Sequence, residues 1–333
     1  MTSRERVFAA IRGAAADRPP VALWRHFPQQ DQKAETLAQA HVEFQRRWQW
    51  DLLKVTPAAS YYGDDWGLHA GYKPNPAGVR HVTDRPIKKP PDWAHLRNLD
   101  VTGGVYGREL HALRLIREAL PDLLILSTVF SPLTIARTLA GEQALIRYLR
   151  ENPEDLHAGL EVITEVTARF AGETLAAGAD GVFFATQCAT TGYMTVEEYE
   201  EFGRPYDLRV LDAAASADVR LLHIHGSEIM FDQLTDYPVD IVNWHDRKTS
   251  PSLAEARDRF SGCLAGGLNE WETLLKGSPG DIASEVGDAV AQTSGTRHVV
   301  AAGCVIPVDT SDDRLRAARD AVEVASTDPG EKE

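Results

Sequence analysis

The chain has 333 residues, 43% hydrophobic and 25% charged, the balance of an ordinary soluble globular protein with a substantial core. Its 49 acids against 35 bases give a formal net charge of -14, which argues against a nucleic-acid partner or an anionic membrane surface, since both need clustered Lys and Arg. No apolar run approaches the ~20 residues that span a bilayer, no signal-peptide core follows Met1–Arg6, and the three scattered cysteines make no disulfide framework, so a cytoplasmic protein is expected.

In chain order, Thr2 or Ser3 caps a first helix that runs to about Gly13, and Arg18-Pro19-Pro20 breaks it. Val21–Trp24 reads as a first buried strand, residues 31–49 as a helix with Leu37, Ala40, Phe44 and Trp48 on one face, and Asp51–Val55 as a second strand. Residues 56–100 break the rhythm with repeated Pro and Gly, and form a long excursion with a small hairpin around Val79–Val82. From 104 onwards helix and strand alternate regularly. Strands are expected at 123–129, 181–186, 219–225, 240–244, 263–268 and 298–303. Helices are expected over 105–120, 132–149, 153–177, 195–216, 227–237, 251–260, 279–293 and 311–325. Residues 327–333 form a polar tail beyond a domain spanning 1–326.

Eight short apolar strands, each followed by helix, imply a parallel sheet buried on both faces. The expected fold is α/β, a single (β/α)8 TIM barrel with the long excursion inserted after strand two; a doubly wound open sheet competes, but no Gly-x-Gly-x-x-Gly turn follows the first strand. In a barrel the C-terminal strand ends ring one mouth. His223 and His225, one residue apart at the end of strand five, project to the same side. Cys304, at the end of strand eight, faces them across a narrow mouth. Two imidazoles and a thiolate make a catalytic zinc set with one position left for substrate. The plainer reading is two hydrogen-bonded histidines and a core cysteine. Arg25, Lys54, Gln187, Asn243, His245 and Asn269 fall at the other strand ends.

Several motifs, in order along the chain, carry a resemblance. They are Arg4-Glu5-Arg6-Val7, Pro19-Pro20-Val21, Ser131–Ala136, Gly178-Ala179-Asp180-Gly181, Tyr199–Phe202 with Pro205-Tyr206, His223–Gly226, Gly266-Gly267-Leu268, and Gly303-Cys304 before Ile306-Pro307. With them the chain resembles the uroporphyrinogen decarboxylase superfamily over nearly its whole length, which implies the same barrel. That superfamily holds two chemistries. Its decarboxylases bind porphyrinogen carboxylates through two arginines, an acid and a tyrosine, without metal. Here Arg25 falls where the first arginine belongs, but the second position lies around Gln29. Asp64 or Asp65 is the nearest acid, and Gly303-Cys304-Val305 replaces a Gly-His-Gly segment. Its zinc methyltransferases take a methyl group from a corrinoid protein to a thiol, with ligands His-x-Cys on strand five and Cys after strand eight. Here the same positions read His223-x-His225 and Cys304.

The resemblance therefore implies a zinc-dependent methyltransferase-like enzyme with Zn²⁺ on His223, His225 and Cys304. Arg25, Asp65 and His245 are its further candidate catalytic groups, and Tyr61, Trp66, Gln187 and Asn243 its substrate contacts. Glu228 is the candidate fourth ligand, and His245 is expected behind the ligands or on the substrate. No Asp-x-His-x-x-Gly corrinoid motif occurs, so a corrinoid would arrive on a separate protein. The other expected partners are a small-molecule substrate and a second copy in a homodimer. A metal-free decarboxylase acting on a carboxylated tetrapyrrole or small acid is the alternative, and a non-catalytic binding barrel the third reading.

Overall fold

The computed structural model describes residues 1–324, so the expected polar tail lies outside the described residues. Eight strands form the sheet: β1 (Val21–Ala22), β2 (Leu52–Val55), β3 (Leu124–Phe130), β4 (Gly181–Thr186), β5 (Val219–Ile224), β6 (Ile241–Trp244), β7 (Cys263–Leu268) and β8 (His298–Ala302). Their order is β1-β8-β7-β6-β5-β4-β3-β2, every neighbouring pair parallel. The strands from β2 to β8 are buried along nearly their whole length, because helices cover the outside and side chains fill the inside.

The ring closes between β1 and β2 through a side chain as well as the backbone. Asp51 N donates to Val21 O at 2.9 Å, and the Asp51 carboxylate accepts from Val21 N at 2.8 Å. The same carboxylate takes Arg6 Nη1 and Arg18 Nη1, each at 2.6 Å. β1 is too short to zip along β2, and this buried ion cluster, at the N-terminal end of β2, supplies the missing links.

Local chemistry accounts for the helix ends. Thr2 caps the helix Ser3–Arg12 in a capping box with Glu5, and Gly13 ends it in the left-handed region. The expected helix over 195–216 is two helices, Val196–Phe202 and Arg204–Ala213, broken at Gly203, and the expected segment 132–149 is likewise divided at Gly141.

The expected helix over 227–237 is absent apart from a 3-10 turn at Asp232–Leu234. Gly226 and Glu228 have φ of 111° and 50°, which is incompatible with a continuous helix, and Ile229 pairs instead with Thr190 in an antiparallel bridge. The loop after β5 is thus tied to the loop after β4, and the rim beside the histidines is extended chain.

The excursion after β2 is ordered. It comprises a 3-10 helix at Tyr61–Trp66, a hairpin pairing His69–Gly71 with His81–Asp84, and a second 3-10 helix at Pro90–His95. Val308 N donates to Pro76 O at 2.8 Å, which ties its tip to the loop after β8.

Candidate metal centre and cavity

Parallel pairing places His223 opposite Asn243 and Ile224 opposite Trp244. The register carried one step further sets His225 beside His245. Paired residues of neighbouring strands face the same side, so two rungs of polar side chains point into the barrel mouth.

Hydrogen bonds fix how the rings present their lone pairs. Asn243 Nδ2 donates to Ala265 O at 2.8 Å and to Ala302 O at 3.0 Å, using both amide hydrogens. Its Oδ1 is therefore an acceptor, and His223 Nδ1, 2.6 Å away, must be the donor. The His223 Nε2 lone pair then faces Cys304 Sγ at 3.5 Å. Burial pushes the His223 pKa down, which keeps the ring neutral, the form a metal binds. His245 Nδ1 lies 3.0 Å from Glu270 Oε1, which leaves its Nε2 3.2 Å from His225 Nδ1. His225 Nδ1 is in turn 3.6 Å from Cys304 Sγ.

Four donor atoms, one each from His223, His225, His245 and Cys304, thus lie within 4.8 Å of one another. A tetrahedral zinc with bonds of about 2.0–2.1 Å to nitrogen and about 2.3 Å to sulfur has edges of roughly 3.3 Å between nitrogens and roughly 3.6 Å between nitrogen and sulfur. The separations of 3.2, 3.5 and 3.6 Å are close to those edges, so the donor set fits a zinc ion in both chemistry and size. Electrostatics agree. Burial opposes ionisation of Cys304, but the His223 and His225 imidazoles hold its thiol well below the usual range. His245 differs: burial opposes its charge, yet its bonds with Cys304 and Glu270 raise it to about 9, so a metal would have to displace a proton from this ring.

A cavity of about 280 Å³ opens directly on these four residues. Trp24, Phe130, Phe183 and Trp271 wall it, and Val79 of the excursion reaches over it. Its size lies near the small end of the range for small-molecule sites, ~300–1,000 Å³. Lys54, at the end of β2, also lines it, and burial pushes that amine down to about 7.

The other candidates from the sequence fall in three groups. Gln187 lines the cavity, its Oε1 accepting from Arg137 Nη2 at 2.5 Å. Asn243 lies behind His223 and does not line the cavity, so it orients a ring and is no substrate contact. The remaining five do not line the cavity. Alternation at the β1 end turns Trp24 and His26 inward and Arg25 outward, where its guanidinium lies over Phe27 and Phe44 and donates to Val308 O at 3.0 Å. Asp65 accepts from Val105 N at 2.8 Å at the start of the helix Gly104–Ala119. Tyr61 donates to Thr128 O at 3.0 Å and Trp66 to Arg97 O at 2.8 Å, both as packing residues of the excursion. Glu228 is exposed and outside the donor cluster.

His245 joins the cluster instead of standing behind it; Lys54 was placed at a strand end from sequence but given no role, and Glu270 was not singled out. The signal for His245 was present. Asn243-x-His245 repeats on β6 the i, i+2 spacing of His223-x-His225 on β5, and a parallel sheet in register superposes the two.

These features define a (β/α)8 barrel with a three-histidine, one-cysteine cluster under a small cavity at the C-terminal mouth. The model of the family described as uroporphyrinogen decarboxylase (URO-D) matches residues 2–324, and the chain belongs to that family. Among curated relatives it is 25% identical to the methylcobamide:CoM methyltransferase MtbA of Methanosarcina acetivorans, over 85% of this chain and 87% of that protein. It is 24% identical to uroporphyrinogen decarboxylase 2, chloroplastic, of Arabidopsis thaliana, over 94% and 84%. Among solved structures, a methyltransferase from Methanosarcina mazei superposes with a TM-score of 0.87 at 20% identity, over 97% of this chain and 99% of that one, and shares the fold. No helix among the described residues is long and apolar enough to cross a membrane.

Proposed function

We propose that this protein is a zinc-dependent methyltransferase that moves a methyl group from a corrinoid, carried on a separate protein, to a small acceptor, most simply a thiol. The observation that carries this reading is the convergence of His223, His225, His245 and Cys304 at near-tetrahedral separations on the floor of a small-molecule cavity. The similarity to methylcobamide:CoM methyltransferases over most of the chain supports it.

A zinc ion held by these residues would supply Lewis acidity favouring the thiolate form of an acceptor, which would have to add to the four protein donors or displace one of them. The chain's own residues prepare for that. Asn243 and Glu270 fix two rings so that their lone pairs converge, and the Cys304 thiol is already biased to thiolate. With three neutral imidazoles and one thiolate the loaded site would carry a net charge of +1, which favours deprotonation of whatever binds above it. The aromatic walls exclude water from the acceptor. The alternative of porphyrinogen decarboxylation draws less support. A rim of carboxylates needs several cations, whereas Arg25 faces away and Lys54 is the single Lys or Arg on the cavity wall among the described residues.

The test is zinc content of the purified protein, alongside His223→Ala and Cys304→Ser, with methyl transfer from methylcobalamin to a thiol as the activity. Near-stoichiometric zinc in the wild type, lost with activity in both variants, is expected. Full transfer activity in metal-free protein would overturn the reading.

A further inference from the structure

The chemistry above uses the four clustered donors and leaves two other polar groups of the cavity wall idle, Lys54 and His26. Lys54 is almost wholly buried near the end of β2. No carboxylate lies within ion-pairing distance of it among the described residues, and no Asp or Glu lines the cavity. Its one hydrogen bond, to Thr56 Oγ1, is a long 3.3 Å, and Nζ otherwise lies 4.6 Å from the centroid of Phe183. An unpaired buried ammonium is costly, and loss of its proton relieves the cost; burial accordingly pushes this amine down to about 7. What remains is a lone pair in an aromatic-walled space, the state in which a lysine is a nucleophile.

His26 supplies the complement. Its Nδ1 lies 3.1 Å from Pro57 O, which can only accept, so Nδ1 carries the ring proton and Nε2 keeps its lone pair. Burial, and after it the charge of nearby Lys54, hold the ring in this neutral form, with a pKa of about 4. We propose that Lys54 is a second reactive centre of the cavity, which captures a small uncharged aldehyde or ketone as an imine, with His26 Nε2 as the proton relay. The Nζ lone pair forms a bond to the carbonyl carbon, and the carbonyl π pair moves to oxygen. The two amine protons pass in turn by way of His26 to that oxygen. The C–O bond then breaks with its electron pair, water departs, and the nitrogen pair closes the C=N bond. The cavity of about 280 Å³ limits the carbonyl compound to a few heavy atoms, and its aromatic walls favour an uncharged one. This activity goes beyond the methyltransferase reading and needs no metal.

The experiment treats the folded protein at neutral pH with dilute propanal and cyanoborohydride, which reduces an imine to a stable N-propyl amine. Peptide mapping by mass spectrometry then follows each lysine with time. Lys54 should be propylated at least about 10-fold faster than the exposed Lys73 and Lys89, because far more of it is unprotonated. In His26→Gln the rate at Lys54 should fall by about 10- to 100-fold, with the rates at Lys73 and Lys89 unchanged. In Lys54→Met the fast phase of incorporation should vanish from the intact mass, with a thermal melt reporting that the fold is kept. Propylation of Lys54 no faster than that of Lys73, or a rate in His26→Gln equal to wild type, overturns the proposal.

Discussion

His245 Nδ1 and Glu270 Oε1 are 3.0 Å apart, and the same oxygen accepts from Lys248 Nζ at 2.8 Å. Glu270 is almost wholly buried. Burial opposes its ionisation, but the bonds from His245 and Lys248 hold its carboxyl below the usual range. A buried carboxylate behind an imidazole both fixes the tautomer and strengthens the ring as a donor. Glu270→Gln keeps an acceptor but removes the charge. Zinc affinity should fall about 10- to 100-fold, read by competition with a chromophoric chelator, with full occupancy recovered at high zinc. Unchanged affinity would mean that His245 is not a ligand.

Gly303 lies where the chain leaves β8 for Cys304. A Cβ there would come within 2.7 Å of His245 Cα and 3.1 Å of Trp244 O, both main-chain atoms that cannot step aside. Gly303→Ala should cost roughly 1–3 kcal/mol of stability, as overpacking does. It should also weaken zinc binding, because the end of β6 that carries His245 must move. A thermal melt and a zinc titration check both, and a variant equal to wild type in each would show the contact to be soft.

Asp51 holds Arg6, Arg18 and the amide of Val21 at the seam of the barrel. Removing the acid leaves two guanidinium groups buried without their central partner. Asp51→Ala should destabilise the fold by about 3–5 kcal/mol in denaturant unfolding. The seam is at the end of β2 remote from the cavity, so folded variant should still take up zinc in full. A loss under about 1 kcal/mol would place the closure elsewhere.

Asp207 is buried and accepts from the Tyr199 and Tyr237 hydroxyls at 2.6 and 3.1 Å. Burial pushes its pKa up to about 7 from an ordinary 3.8. Between those values the native state holds a proton that the unfolded chain has released, so stability falls as pH rises through this window and levels off above it. The slope is at most ~1.4 kcal/mol per pH unit. Asp207→Asn removes this contribution. Urea unfolding at about pH 5, 6, 7 and 8 should show wild type losing stability relative to the variant as pH rises to about 7. Parallel curves would refute the assignment.

The barrel was legible because strands buried on both faces are short apolar runs, and those at 181–186 and 263–268 coincide with the expected bounds. His223 and His225 were legible because their i, i+2 spacing is a property of one strand. His245 was not placed among the donors, because its position depends on the register between β5 and β6, which a linear reading does not fix. Tyr61 and Trp66 looked like a platform for substrate since aromatic side chains serve packing and recognition alike. Only the fold reveals that their polar atoms are spent on Thr128 O and Arg97 O. The helix expected over 227–237 failed for a local reason, since Glu228 within it and Gly226 just before it have positive φ.

The segment that follows β8 has two duties at once. Ile306 N is bonded to Trp24 O at 2.9 Å and Val308 N to Pro76 O at 2.8 Å, while Cys304 begins the same short stretch. The excursion beside the pocket and the sulfur at its floor are therefore held by one short stretch of chain. A substitution that displaces the excursion would strain the same stretch that positions Cys304, so the two cannot be set independently.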